Sequence, residues 1–281
     1  MTMRDDAARA CTRRGSTARE NTASVLSNEW VNDEYKHLRV RVDALAAQVK
    51  PGQFFNLQCP QTEQDKPFFR RPMSTWFANA EQGYVDFLYK VVGAGTRGLS
   101  TLRPQDAVNV LGPLGNGFTL QPDHRHILVA GRGVGLATLA PLAEHAAAHD
   151  VHVTALLSAR DREHLMSQQR FLASGADLIE VIDSDGSSAM AQVEQRIRAV
   201  HQQRPIDAVY TCGSSRVIQL LQRLSQELGF SGEAALEQQM ACGLGMCYCC
   251  VRPMRDQESQ ALTDKRVCYD GPVFPLHEVV L

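Results

Sequence analysis

The chain has 281 residues, 44% hydrophobic and 21% charged, which is enough for two or three domains with their own cores. Its 29 Lys and Arg against 31 Asp and Glu leave a net charge of −2, so nothing electrostatic points to nucleic acid. No run approaches the roughly 20 apolar residues of a membrane helix, so neither an integral membrane protein nor a membrane partner is expected.

Residues 1–22 are rich in Arg, Ala, Ser and Thr and lack the apolar core of a secretory signal. They read as a disordered tail, and the expected location is cytoplasmic, where structural disulfides are uncommon. From 23 to 121 short alternating runs recur: HLRVRV (37–42), QFFNLQC (53–59), YVDFLYKVV (84–92) and DAVNVLG (106–112). Turn-prone pieces separate them, which predicts a β sandwich or small barrel, with a brief helix starting near Thr96.

After Pro122 the period changes. Strand-like runs at 127–130, 151–158, 178–183 and 206–212 alternate with helical patterns through about 148 and at 161–173, 187–202 and 215–228. That alternation predicts βαβ units and a parallel sheet over 122–230. From 231 to 281 no helical period survives, and cysteines sit among Gly, Met and Tyr.

The eight cysteines are unevenly spread. Cys11, Cys59 and Cys212 are scattered, whereas Cys242, Cys247, Cys249, Cys250 and Cys268 crowd the C-terminal end. Cys242-x4-Cys247-x2-Cys250, followed after a gap by Cys268, is the spacing plant-type ferredoxins use for a [2Fe–2S] cluster. Gly243 and Gly245 suit a loop tight enough to need positive φ and exposed backbone N–H groups. Cys249 offers an alternative C-x4-C-x-C; Cys250 is preferred because it keeps the known spacing, and Cys249 is read as a passenger. Structural zinc is the competing reading, but zinc sites usually carry two Cys-x2-Cys knuckles and this chain has one.

In the β region, Arg71 in RRPMS (70–74) suits bidentate phosphate contact, and Gly93-Ala94-Gly95-Thr96 opens a helix whose N–H groups suit the same anion. These motifs, with LYKVVGAGT (88–96), VLGPLGNGF (110–118), MACGLGMCYCC (240–250) and RVCYDGPVF (266–274), resemble those of the electron-transfer subunit of class B dihydroorotate dehydrogenase. That family lies within the ferredoxin–NADP reductase-like superfamily, and the resemblance spans residues 23–281. It implies a multidomain α/β and β fold: a flavin-binding antiparallel β-barrel (23–121), a Rossmann-like nucleotide-binding α/β domain (122–230) and a small C-terminal [2Fe–2S] domain (231–281). It implies FAD contacts from Arg71, Pro72, Met73, Ser74, Leu88, Tyr89, Lys90, Gly95 and Thr96. Cluster ligation is implied for Cys242, Cys247, Cys250 and Cys268.

The run Gly131-Arg132-Gly133-Val134-Gly135 between a strand and a helix is a dinucleotide-binding candidate, with Gly131 and Gly133 as its contacts to NAD(P). It departs from the superfamily's G-G-x-G-x-x-P, and Cys212-Gly213-Ser214 departs from Cys-Gly-Pro. Arg132 would either crowd the loop or add a phosphate contact. Arg160 is a candidate reader of a ribose or 2′-phosphate. No acid, base or nucleophile constellation stands out, so no catalytic residue is expected.

By this resemblance the partner is a catalytic dihydroorotate dehydrogenase subunit, with NAD(P) as co-substrate and FAD converting hydride to single electrons. Two alternatives stand beside it. One is an NAD(P)H-dependent reductase feeding an oxygenase or another dehydrogenase; the other is an accessory subunit with an inactive nucleotide site.

Overall fold

The computed structural model describes residues 18–281. Seven strands form the first sheet: β1 (Arg19–Trp30), β2 (Tyr35–Arg41), β3 (Phe54–Leu57), β4 (Arg71–Ser74), β5 (Phe77–Asn79), β6 (Tyr84–Lys90) and β7 (Ala107–Leu114). Their order is β4-β3-β7-β1-β2-β6-β5, and every pair is antiparallel. The edge strands β4 and β5 are consecutive in the chain, joined only by Thr75 and Trp76. Two residues span less than about 10 Å, so the sheet must curl until its edges meet. Thr75 N donates to Gln53 O beside one edge, and Trp76 N donates to Asp86 O at the other. The result is a barrel-like sheet filled by Leu38, Phe55, Leu57, Phe87, Tyr89 and Leu99. Each large apolar side chain buried there contributes about 1.5–3 kcal/mol. The short helix α1 (Ala94–Ser100) contributes Leu99 to that core.

Strand β1 corrects the expected tail boundary. Arg19–Thr22 pair with Gly112–Asn109 of β7, so the first domain starts before residue 23. The polar run RENTAS conceals the strand, because only Ala23 and Val25 of its first half reach the core. Residues 1–17 of the expected tail lie outside the described residues.

The second sheet takes β8 (His126–Arg132), β9 (His152–Ala159), β10 (Asp177–Ile182), β11 (Ala208–Cys212), β12 (Ser231–Ala235) and β15 (Val273–Pro275) in the order β10-β9-β8-β11-β12-β15. All neighbours are parallel except β12 and β15. Helices α2 (Gly135–Ala147), α3 (Gln168–Ala173), α4 (Met190–Gln203) and α5 (Ser215–Leu228) connect the strands. The chain runs β8 to β9 on one side and later inserts β11 on the other, so a topological switch point opens between β8 and β11.

Two further differences concern this half. The helical pattern at 161–173 resolves into a 3-10 turn at Arg162–His164 and the short α3, broken at Ser167, whose φ is +62. The expected boundary at 230/231 is crossed by pairing: β12 and β15 come from the C-terminal segment yet complete the α/β sheet. What remains of that segment is the cysteine loop and a hairpin of β13 (Val251–Arg255) and β14 (Leu262–Arg266). Among the described residues no helix is long and apolar enough to cross a membrane.

Candidate flavin, cluster and nucleotide sites

Arg71 opens β4, and its guanidinium lies across the first turn of α1. A Cβ placed on Gly95 would fall 2.7 Å from Arg71 Nε. Arg71 Nη1 is steadied by the Phe69 carbonyl at 2.7 Å. The two candidate phosphate contacts are therefore one structure, a cation over a helix start that only glycine can keep open. Thr96 does something other than expected of its side chain: Oγ1 accepts from Val92 N and Gly93 N at 2.9 and 3.1 Å, fixing the turn.

Along β4 side chains alternate. Met73 packs on the barrel core, which turns Pro72 and Ser74 to the other face. On β6 the alternation separates the other candidates. Leu88 is buried with Tyr35 and Phe118 against the α/β half. Lys90 pairs with Glu34 at 2.8 Å. The Tyr89 side chain is 1% exposed inside the barrel, and its hydroxyl donates to Asn28 Oδ1 at 3.0 Å. Burial raises its pKa, and only its backbone is free to touch a ligand.

Asn56 was not singled out from the sequence, although a polar residue amid FFNLQC was a signal. It is fully buried on β3 directly opposite Pro72, and cross-strand partners share a face. Its Nδ2 donates to Ala241 O at 3.2 Å, one residue before Cys242. A Cβ on Gly243 would meet the same Nδ2 at 3.0 Å. The cysteine loop thus sits on the outer face of the strand that pairs with β4. Asn56 Oδ1 and Thr75 Oγ1 are buried without partners beside β4, orphans that the polar edge of a flavin would satisfy.

Among the described residues the expected ligands stand as two pairs, Cys242 with an exposed Cys247 and Cys268 with Cys250, and no three of them are gathered as a metal site. Gly245 N donates to Cys268 Sγ at 3.2 Å, Cys268 N to Cys250 Sγ at 3.3 Å, and Leu244 N to Cys242 Sγ at 3.4 Å. Burial and then the neighbouring Cys250 thiol push the Cys268 thiol up to about 12. Burial also acts on Cys242, but N–H groups of Leu244, Cys247 and Met246 and the Cys247 side chain outweigh it and lower that thiol to about 7. Gly245 has φ +79, and a Cβ there would lie 2.8 Å from that of Tyr269. Donors aimed at sulfur and a loop closed on glycine fit an iron–sulfur cluster. Cys249 points elsewhere: it is exposed, with Sγ 3.9 Å from Gln239 O. Burial pushes Cys59 up to about 11 and Cys212 up to about 12, the behaviour of inert thiols.

At the switch point, Gly131 ends inside β8, where a Cβ would strike Leu139 of α2 at 2.8 Å. It lets strand and helix pack closely. Gly133 has φ +54 and would bring a Cβ to 3.0 Å from Tyr35 Oη of the barrel, so the loop faces the flavin half. Arg132 neither crowds the loop nor points into it; it turns outward to Asp183 and Ser158. Arg160 is committed to Glu34 at 2.9 Å and Asp161 at 3.1 Å.

Comparison with known proteins agrees with this geometry. Residues 22–118 match the oxidoreductase FAD-binding domain family, and 237–280 match the iron–sulfur cluster binding domain of dihydroorotate dehydrogenase B. The chain is 31% identical over 258 residues to the dihydroorotate dehydrogenase B (NAD(+)) electron transfer subunit of Desulforamulus reducens, covering 92% of this chain and 97% of that protein. The subunit of the same name from Geobacillus thermodenitrificans is 32% identical over 262 residues, with the same coverage. The solved NADH-dependent reduced ferredoxin-NADP oxidoreductase superposes with a TM-score of 0.76 at 25% identity, covering 92% of this chain and 90% of that one. The ferredoxin reductase of carbazole 1,9a-dioxygenase shares the fold, with a TM-score of 0.61 at 20% identity over 76% and 67% of the two chains. A barrel with a cation at a glycine-opened helix, a thiol loop seated on it and an α/β crevice beside it thus have one common explanation: the chain belongs to the dihydroorotate dehydrogenase B electron transfer subunit family, an FAD- and iron–sulfur-dependent oxidoreductase component.

Proposed function

We propose that the chain passes electrons between a catalytic dihydroorotate dehydrogenase subunit and NAD, using FAD on the barrel and a [2Fe–2S] cluster held by Cys242, Cys247, Cys250 and Cys268. Oxidation of dihydroorotate releases two electrons and two protons; NAD+ takes a hydride, and one proton goes to solvent. Bound FAD supplies the conversion between hydride and single-electron chemistry. The carrying observation is Asn56, which faces Pro72 on β4 and donates to Ala241 beside the first ligand. One buried side chain therefore ties the flavin strand to the thiol loop.

The remaining work falls to residues of this chain. Arg71 and the first turn of α1 hold the pyrophosphate. Pro72, Ser74 and the backbone at Tyr89 line the flavin. Leu88, Tyr35 and Phe118 exclude water where the halves meet. Around the cluster, Leu244, Met246, Tyr248 and Tyr269 are exposed. Arg266 lies 4.5 Å from the Tyr269 ring and is neutralised by Asp270. That apolar rim suits docking of a protein partner at the point where electrons leave.

Two measurements test the reading. NADH mixed with the purified protein in a stopped-flow instrument is expected to bleach the flavin. Addition of a dihydroorotate dehydrogenase catalytic subunit is expected to give dihydroorotate-dependent NAD reduction. Bleaching without coupling to that subunit would instead favour a reductase serving an oxygenase. Failure to bleach with NADH or NADPH would favour an accessory subunit, a reading supported by the arginines of the crevice being already paired.

A further inference from the structure

Strands β8, β9 and β10 end level with one another: Arg132 aligns with Ser158, and Ile182 with Ala159. In an open parallel sheet ligands lie beyond these carboxyl ends, and the end of the second strand is where an adenine ribose is read. In this chain the ledge is already spanned by one side chain. Arg132 reaches over β9, giving Nη1 to Ser158 Oγ at 3.1 Å and to Asp183 Oδ1 at 3.0 Å, while Nη2 meets Asp183 Oδ2 at 2.5 Å.

The carboxylate is held in place from behind. Ser188 Oγ donates to Asp183 Oδ1 at 2.6 Å, and Asp183 N donates to Ala159 O at 3.1 Å. The second arginine of the ledge, Arg160, is occupied by Glu34 and Asp161. Arg216, on the first turn of α5, adds a more distant positive charge that acts on Asp183.

A ribose 2′-hydroxyl can donate to such a carboxylate. A 2′-phosphate carries close to two negative charges at neutral pH and has no proton to offer it. It would meet Asp183 directly, and to gain a bidentate guanidinium it would have to break the Arg132 fork. We propose that Asp183, by holding Arg132, is the specificity-determining residue that admits NAD(H) and rejects NADP(H). This rests on the reading that a nicotinamide nucleotide binds at the β8–β11 crevice.

The prediction concerns a ratio. In the flavin-loaded protein, Asp183→Asn is expected to raise kcat/KM for NADPH relative to NADH by about tenfold, the equivalent of one charge-assisted hydrogen bond made available. Calorimetry with 2′,5′-ADP and 5′-ADP, which involves no flavin chemistry, is expected to show the same relative gain. Adding Arg132→Ala is expected to cancel it, which separates Arg132 from Arg216. If the wild type is bleached by NADH and Asp183→Asn, with normal flavin content, leaves both ratios unchanged, the assignment of specificity fails alone. If the wild type is bleached by neither nucleotide and binds neither ADP, the crevice reading fails and takes this assignment with it.

Discussion

The cluster loop and the nucleotide crevice are both glycine turns at the ends of strands, yet their polar groups are arranged in opposite ways. In the loop, N–H donors of Leu244, Gly245 and Cys268 all point at sulfur, and the thiols crowd one another. Such an arrangement suits a group bound through thiolates. In the crevice the charged groups satisfy each other: Arg132 with Asp183, and Arg160 with Glu34 and Asp161. The loop offers its donors to a bound group, whereas the crevice keeps its charges paired with one another, which is the basis of the selectivity proposed for it.

The sharpest break of that comparison is at the neighbouring pair Cys249 and Cys250. Cys250 is 2% exposed, and its sulfur accepts from Cys268 N, whereas Cys249 is exposed. Cys250→Ser is expected to abolish the red-brown visible absorption and bound iron, while Cys249→Ser keeps both. The reverse result would exchange the two roles and overturn the ligand set.

A smaller effect is expected on the barrel. In Gly95→Ala the new methyl would meet the Arg71 guanidinium at 2.7–2.9 Å. The flexible arginine gives way, and the charge moves off the helix start. Loss of one charged contact, about 1.5–3 kcal/mol, should weaken FAD binding roughly 10- to 100-fold in reconstitution titrations, with cluster absorption unchanged. If FAD affinity holds, Arg71 and α1 do not form the pyrophosphate site.

Legibility in the sequence followed the same division. The iron–sulfur domain was legible because Cys242, Cys247 and Cys250 stand at a fixed covalent spacing that few other sites use. The strands of the α/β half were legible as apolar runs, since β8 and β11 are buried on both faces. β1 was not, because it alternates polar residues with small ones and takes its stability from pairing with β2 and β7. α3 was overread because segment 160–170 is shaped by contacts with the barrel rather than by its own period. Trp76 Nε1 donates to Ser167 Oγ across that boundary, and Asn32 Nδ2 to Glu163 O. The inward position of the Tyr89 side chain was not legible, because a motif names a residue without saying which face it presents. Asp183 carried no local signal, as its partner lies 51 positions away.

The smallest expected effect lies on that boundary, at His164. The ring is 6% exposed, with Nδ1 2.5 Å from Asp161 Oδ1. Nε2 sits between Arg160 Nη2 at 2.7 Å and Asp33 Oδ1 at 3.1 Å. A neutral ring accepts from the arginine, whereas a protonated ring donates to Asp33, on the turn between β1 and β2. Hydrogen bonding to Asp161 raises the His164 pKa above its ordinary value of 6.5, although burial and Arg160 act against it. A raised pKa in the folded protein means a stabilising contribution complete below about 6.5 and lost as pH climbs through the folded value. The contact between barrel and α/β half is therefore expected to be tighter at pH 6 than at pH 8.5. The Tm gap between wild type and His164→Gln should be about 2 °C at pH 6, near what 1 kcal/mol or less produces in a chain of this size, and should shrink toward zero at pH 8.5. A gap that stays constant or widens with pH would mean that the ring acts there as packing.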